Sequence, residues 1–347
     1  MGDGSRFVSL LLIVFFVTGI PDLAGQEMAH RQSTAAVSTP DAGSCGVAGL
    51  ATVPQRDPVS VPLPKSAASS VIRIRMRENG RMLVPVAVNG SGTYSFLLDT
   101  GAAVTMLSHS LAKRLGLAAT KETQVHTFAG KVSLWAGRAD SLRIGNHLIV
   151  GSDVLIGDLG HLFNQSPEVD GILGQDILSR FNYLIDRRAA SLEIEEGDNL
   201  VAALAGTKVS FERRAGVICV PVAGGALRLL LDSGNPYLVV YEDAARSCNA
   251  IVAVSGDEGV VGSSLGRRVI RPTRIPSLDI GGIVLRNVPA YLATRGSGRS
   301  EDGFLPLHIF NSMYVNNLEN FLIANPRRNR QHSDNRRDHG TGESGSG

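Results

Sequence analysis

An internal repeat constrains the fold of this chain more than any other feature of its sequence. Four short blocks each occur twice, in the same order, and the second copy lies 132 to 136 residues after the first. Ordered blocks at a nearly constant separation indicate two lobes with one shared architecture. The paired blocks are 84–87 with 220–223, 96–101 with 229–234, 141–145 with 277–281, and 170–174 with 302–306.

The repeated blocks have the composition of short β-strands joined by tight turns. Residues 71–77 and 83–88 are rich in β-branched side chains, and Asn89-Gly90 predicts a hairpin turn into 94–98. Gly224-Gly225 occupies the place of that turn in the second copy. We therefore expect both lobes to consist mainly of antiparallel hairpins.

Short helices are expected at matching places after each hairpin. In the first copy, Ser108 has the side chain of an N-cap for residues 111–115, and Gly116 is a stop signal. Residues 242–247 lie at the corresponding place in the second copy. The lobes are thus predicted to be mostly β with brief helices.

The two ends of the chain differ in composition from the repeat. Arg6, an apolar run over 7–17 and small residues at 24–25 are typical of a secretory signal peptide, which predicts a secreted or periplasmic protein. The apolar run is shorter than the ~20 residues that a membrane-spanning helix needs, so we expect no stable membrane span after signal cleavage. The predicted segments are a signal peptide at 1–25, a flexible lead-in or pro-segment at 26–70, lobes at 71–200 and 201–325, and a disordered tail at 326–347.

The charge balance and the spacing of potential metal-ligating residues argue against several classes of function. The formal net charge is +2, and the arginine-rich tail accounts for it, so the body of the chain is formally neutral. Nucleic-acid binding depends on clustered Lys and Arg, and we expect no such partner. The eight histidines form no close ligand cluster, so we predict no metal and no cofactor. The sequence leaves open whether Cys219 and Cys248 form a disulfide.

The candidate catalytic residues are two aspartates at corresponding places in the repeat. One Asp-Ser/Thr-Gly tripeptide is a weak signal, but here two copies each follow an apolar strand, where an unsatisfied carboxylate would be costly. If the lobes face each other, the two carboxyls come together and share one proton, giving one base and one acid. Such a pair can activate a water against a peptide carbonyl. The two copies are Asp99-Thr100-Gly101 and Asp232-Ser233-Gly234.

Residues 71–325 resemble the aspartic proteases, in particular the retropepsin-like domain, here duplicated in one chain as in pepsin-like enzymes. The resemblance rests on the first motif, 99–102, and on 171–178, which is similar to the hydrophobic-Gly element that packs beneath the family's catalytic loop and leads into a helix. It implies two pseudo-symmetric closed β-barrel lobes of acid-protease type, a cleft between them and no metal. It also implies that the hydroxyls of Thr100 and Ser233 tie the two active-site loops together.

The sequence thus predicts an exported, monomeric aspartic endopeptidase that hydrolyses peptide or protein substrates with a water held between the two aspartates. The second motif continues with Asn235-Pro236 where the family usually has Ala, Ser or Thr, and Pro306 stands in the place of Gly174. These departures leave an alternative, a catalytically silent bilobal relative that binds peptide or a protein partner. A third interpretation, ranked lower, is that the chain must dimerise to act.

Several weaker features have more than one interpretation. The resemblance places a substrate flap at Val125–Trp135, with Phe128 and Gly130, although an ordinary exposed hairpin fits equally well. Asp170 and Asp302 also correspond between the lobes, but each precedes a glycine, which favours a turn or capping role. Residues 262–266 match Gly-x-Ser-x-Gly and residues 340–345 match Gly-x-Gly-x-x-Gly, and both matches are interpreted as chance because neither has the required context.

Overall fold

The computed structural model of this protein describes residues 17–18, 69–77, 80–127, 130–159, 169–247, 252–254, 259–263, 266–296 and 298–328. All of them belong to one compact unit of the chain. The predicted signal peptide, lead-in and tail lie outside the described residues except at 17–18, 69–70 and 326–328, so these assignments stay predictions. Cys248 and residues 340–345 also lie outside them.

Strands make up most of the described chain and its helices are short, which confirms the predicted mostly β fold class. The strands are β1 (Val17–Thr18), β2 (Ser70–Arg73), β3 (Arg75–Met76), β4 (Met82–Val88), β5 (Thr93–Leu98), β6 (Met106–Ser108), β7 (Lys121–Thr127), β8 (Gly130–Ile144), β9 (His147–Gly157), β10 (Gly171–Leu173), β11 (Asn182–Asp186), β12 (Ser191–Glu195), β13 (Leu204–Ala205), β14 (Val209–Ser210), β15 (Glu212–Arg214), β16 (Val217–Val222), β17 (Leu227–Asp232), β18 (Val239–Tyr241), β19 (Val252–Val254), β20 (Gly259–Ser263), β21 (Gly266–Ile280), β22 (Ile283–Ala293), β23 (Gly303–Pro306), β24 (Ser312–Asn316), β25 (Phe321–Ala324) and β26 (Arg327–Arg328). The α-helices are α1 (His109–Arg114), α2 (Gln175–Leu178), α3 (Asn199–Ala202) and α4 (Glu242–Ser247). Across this described part, no helix is long and apolar enough to cross a membrane.

The first lobe is built on an eight-stranded sheet with the strand order β3-β4-β5-β10-β6-β9-β8-β7. β4 also pairs with β8, through Ala87 and Arg143, so six of these strands follow one another in a ring. The hairpin between β4 and β5 turns at Asn89 and Gly90, with φ of 49° and 65°. Asn and Gly tolerate this left-handed backbone, which explains why the predicted turn is found there.

The second lobe repeats this arrangement with the strand order β1-β20-β21-β22-β18-β23-β17-β16-β15, and β19 pairs with β21. Its long hairpin strands β21 and β22 have 15 and 11 residues, the same lengths as β8 and β9. The two lobes are therefore copies of one architecture, as the internal repeat predicts. Among the described strands of this lobe, no pairing is equivalent to that of β4 with β8, so these strands do not form a ring.

A third sheet joins the two halves of the chain. Its order is β14-β25-β24-β11-β12-β2, so it takes three strands from each half. The predicted strand 71–77 is divided between sheets: β2 lies in this one and β3 in the first-lobe sheet, with the N–H of Ile74 donating to the carbonyl of Ala190 (2.9 Å). The antiparallel pair β11 and β24 connects the lobes directly, from Tyr183 with Val315 to Asp186 with Ser312.

The predicted helices are confirmed in both lobes. Ser108 caps α1, where its side chain accepts a hydrogen bond from the N–H of Leu111 at 3.1 Å, and Gly116 follows the helix with φ of 64°. α4 spans Glu242–Ser247, the predicted range. The Gly-x-Ser-x-Gly segment lies where β20 turns into β21, with Ser263 paired to Gly266, so its context is a hairpin.

Candidate active site

Asp99 and Asp232 lie at the ends of two equivalent strands in the centre of the molecule. Asp99 directly follows β5, and Asp232 is the last residue of β17. Each of these strands has a parallel neighbour, β10 and β23, so the predicted hydrophobic-Gly element does lie beside the aspartate strand in both lobes. Both aspartates are 0% exposed. The fold thus brings together two carboxyls that are 133 residues apart in sequence.

The loops that carry the aspartates are interlocked by four hydrogen bonds. The N–H of Thr100 donates to the hydroxyl of Ser233, and the N–H of Ser233 donates to the hydroxyl of Thr100, both at 3.0 Å. The Thr100 hydroxyl donates to the carbonyl of Leu231 (2.9 Å), and the Ser233 hydroxyl donates to the carbonyl of Leu98 (2.7 Å). Each hydroxyl therefore crosses to the opposite lobe, where it fixes the position of the other loop.

The carboxyls face the glycines of the opposite loops at very short range. A Cβ atom added to Gly101 would lie 2.6 Å from Cγ of Asp232, and one added to Gly234 would lie 2.7 Å from Cγ of Asp99. No side chain other than hydrogen fits at either place. Each glycine N–H also donates to Oδ1 of the aspartate in its own loop, at 2.9 Å. Among the described residues, no backbone N–H or other side chain donates to the Oδ2 atoms, and the two carboxyls lie close enough to share a hydrogen bond with each other.

Burial raises the pKa of both carboxyls above the ordinary aspartate value. For Asp99, burial is the main cause, and the N–H groups of Gly101 and Ala102 act against it. For Asp232, burial is again the main cause, and the adjacent charge of Asp99 raises the pKa further. Two carboxyls this close cannot both ionise readily, so near neutral pH the pair holds one proton.

Asn235 leaves the surroundings of Asp232 intact, despite its departure from the family pattern. It is 2% exposed, and its backbone N–H donates to Oδ1 of Asp232 at 3.0 Å. Its side-chain oxygen accepts from the N–H of Tyr237, and its side-chain nitrogen donates to the carbonyl of Tyr237, both at 2.9 Å. The Asn235 side chain thus closes the turn through Pro236 while its backbone still holds the carboxylate.

Pro306 in the place of Gly174 also has a local explanation. The N–H of Gly174 donates to the hydroxyl of Thr105 at 3.1 Å. At the position equivalent to Thr105, the second lobe has Leu238, which is buried and offers no side-chain acceptor. Pro306 lacks a backbone N–H, but the second lobe has no side-chain acceptor equivalent to Thr105, so the proline breaks no equivalent hydrogen bond.

Asp170 and Asp302 have the same structural role in the two lobes. A carboxylate oxygen of Asp170 accepts from the N–H of Ser95 (3.1 Å), and one of Asp302 accepts from the N–H of Arg228 (2.9 Å). Both also form ion pairs at 2.9 Å, with Arg114 and Arg295 respectively. They join neighbouring strands, which agrees with the turn role favoured by the sequence.

The predicted flap segment forms the hairpin of β7 and β8. Gly130 opens β8 opposite Thr127, whereas Phe128 lies outside the described residues. A Cβ atom added to Gly298 of the second lobe would lie 3.2 Å from Nδ1 of His126 near the end of β7. The hairpin of the first lobe therefore reaches the second lobe. Its role toward substrate stays a prediction.

Sequence reasoning missed two residues that lie close to the aspartates. Gln175 is 1% exposed, and its side-chain nitrogen donates to the carbonyl of Thr100 at 3.2 Å. Arg81 is 8% exposed, and its charge acts on both Asp99 and Asp232. Arg81 could have been identified from the predicted β4–β5 hairpin, because counting residues from Asp99 across the turn places Arg81 on the opposite side.

Groups for metal binding are absent from the described part of the site. Within it, no three His, Cys, Asp or Glu side chains are grouped so that they could hold a metal ion. Cys219 carries a free, buried thiol, and burial raises its pKa to about 12. The two buried carboxyls can accept and donate protons, which is the chemistry of a general acid and a general base.

Comparison with known proteins gave one family match and a partial structural match. The chain is similar in part to a retropepsin-like aspartic protease from Rickettsia conorii: 20% sequence identity, a TM-score of 0.26, and coverage of 37% of this chain and 89% of that one. No curated protein matches it. The family model described as aspartyl protease matches residues 84–177 and 219–307, once in each lobe, and covers just over half of the chain. The chain therefore belongs to the aspartyl protease family.

Proposed function

We propose that this protein is an aspartic endopeptidase in which Asp99 and Asp232 of one chain form the catalytic pair. The observation that carries the proposal is the mutual approach of each carboxyl to the glycine of the opposite loop, at 2.6 and 2.7 Å for the added Cβ. The reciprocal hydrogen bonds between Thr100 and Ser233 support the proposal, because they hold both carboxyls in place without a ligand. The pairing needs one chain, so the active form is a monomer.

The reaction follows from the shared proton. A water that contacts both Oδ2 atoms loses a proton to the ionised carboxylate while its oxygen attacks the peptide carbonyl. The protonated carboxyl donates its proton to the carbonyl oxygen at the same time, which gives a neutral tetrahedral gem-diol. Breakage of the C–N bond then takes the proton of the carboxyl that acted as base to the leaving amine nitrogen. The other carboxylate takes a hydroxyl proton of the gem-diol as the C=O bond re-forms, so the pair again holds one proton in its original place.

The substrate is an extended peptide that lies between the lobes. The β7–β8 hairpin, which reaches the second lobe near Gly298, is the candidate flap over this peptide. The signal-like sequence at 1–25 supports export, so the proposed substrates are proteins outside the cytoplasm. The alternative is a catalytically silent relative, motivated by Asn235 and Pro236. The backbone N–H of Asn235 donates to Asp232, which supports the active form over this alternative.

The proposal is tested by cleavage of a mixed peptide library across pH, with and without a transition-state-mimicking inhibitor of aspartic proteases. The wild-type protein should cleave, and Asp99→Asn should abolish cleavage without loss of folding. Asp153→Asn is the matched control, because Asp153 is an exposed carboxylate paired only at the surface with Arg138. Cleavage that survives in Asp99→Asn, or no cleavage by wild type at any pH after removal of 1–70, would contradict the proposal.

A further inference from the structure

The two aspartates have nearly matching backbone surroundings, but one charged side chain distinguishes them. In the β4–β5 hairpin, the last pair is Leu83 with Leu97; extended by two residues beyond it, the same register places Arg81, just before β4, across from Asp99, just after β5. Arg81 is 8% exposed, so its guanidinium lies inside the molecule rather than at the surface. An arginine keeps its positive charge under these conditions.

The second lobe has an uncharged residue at the equivalent place. In the β16–β17 hairpin, Cys219 pairs with Leu230, and the same extension sets Val217 opposite Asp232. Val217 is 2% exposed. The duplicated architecture therefore has a buried cation on the first-lobe side of the pair and a buried aliphatic side chain on the second-lobe side. The charge of Arg81 acts on both carboxyls, and more strongly on Asp99 than on Asp232.

The groups that face the pair come from both lobes. Arg81 approaches from the segment before β4, and the phenol of Tyr237 approaches from the loop after Asp232. Burial lowers the pKa of Arg81, and the charges of Asp99, Asp232 and Tyr237 act against that lowering, in that order. In return, Arg81 is one of the groups that lower the pKa of Asp99. Oδ1 of each aspartate accepts a glycine N–H at the same 2.9 Å, and Oδ1 of Asp232 also accepts the N–H of Asn235 at 3.0 Å. That second bond favours the ionised form of Asp232, so the charge of Arg81 acts on Asp99 against it.

We propose that Arg81 makes the two carboxyls unequal, so that Asp99 carries the negative charge and acts as the base while Asp232 carries the proton. Arg81 is thus a positioning residue for the proton, because it acts through its charge on Asp99. This inference rests on the proposed function for its meaning in catalysis. The proton of the attacking water passes to Asp99, and the proton delivered to the carbonyl oxygen comes from Asp232.

The test is a titration of the full mature protein labelled with [4-¹³C]aspartate and followed by NMR. Asp99→Asn and Asp232→Asn assign the two buried carboxyl resonances. As pH rises, the first ionisation of the wild-type pair should move mainly the Asp99 resonance. Arg81→Met should raise the apparent pKa of that first ionisation by about one pH unit and make the two resonances move more equally. Arg81→Lys keeps the charge and should preserve most of the wild-type inequality.

A first ionisation that moves mainly the Asp232 resonance in the wild type would overturn the proposal, and so would an Arg81→Met variant with unchanged titration. If Arg81→Met does not fold, the wild type and Arg81→Lys still test the proposal, because their titrations show which aspartate loses the first proton. The titration needs no substrate. An inequality between the carboxyls without any peptide cleavage would therefore contradict the proposed function and leave this inference standing.

Discussion

Gly101→Ala adds one methyl group at the closest approach between the two lobes. The new Cβ would lie 2.6 Å from Cγ of Asp232 and 2.8 Å from both of its carboxylate oxygens. Carbon atoms in contact are ordinarily about 3.5 to 4 Å apart, so the carboxyl or its loop must move by about 1 Å. A displacement of that size at a catalytic group lowers the rate by about a hundredfold, and overpacking costs about 1–3 kcal/mol of stability.

The assay is kcat/KM for a fluorogenic peptide identified from the library, together with the unfolding midpoint. Gly197→Ala is the matched control, because its Cβ would meet only the side chain of Asn199, at an ordinary 3.6 Å, and it should keep wild-type activity. A folded Gly101→Ala variant with activity within a few-fold of wild type would show that the carboxyl of Asp232 does not lie against Gly101.

Two further predictions concern stability. Ser233→Ala leaves the buried N–H of Thr100 and the carbonyl of Leu98 without these partners and should cost about 2 kcal/mol in urea unfolding, whereas Ser247→Ala, in an exposed helix, should cost about 0.5 kcal/mol or less. Equal costs would count against the interlocked loops. Burial raises the pKa of Glu195 from 4.5 to about 7, so the folded state keeps a proton that the unfolded state has lost, and stability should fall by about 2 kcal/mol as pH rises from 4.5 to 7. Glu195→Gln should remove that decline, and a variant with the wild-type pH dependence would exclude Glu195 as its source.

The sequence predicts those parts of the structure that depend on local pattern. The turn at Asn89-Gly90, the cap at Ser108 and the two Asp-containing loops each have a signature within a few residues, and the internal repeat links the two lobes. The correspondence of Asp99 with Asp232 also followed from the repeat. These features are specified by backbone preference and burial, which act at short range.

The missed features depend on contacts between distant segments. Nothing in 182–186 alone shows that it pairs with 312–316, and nothing in 71–77 shows that the strand is divided between two sheets. From its local sequence, Arg81 looks like an ordinary arginine in a turn. Its place across from Asp99 follows only when the β4–β5 register is extended by two residues. The backbone hydrogen bond from Asn235 to Asp232 is likewise not evident from the sequence of the second motif. Strand register and side-chain direction are tertiary properties.

The central claim is that Asp99 and Asp232 act as one unit on peptide bonds. The most direct measurement is kcat for Asp99→Asn, Asp232→Asn and the double variant, each checked for folding, on one peptide. If the two aspartates act as one unit, each single variant should lose on the order of a thousandfold in kcat, and the double variant should lose no more than the worse single one. A single variant that retains wild-type turnover, or losses that multiply in the double variant, would contradict it.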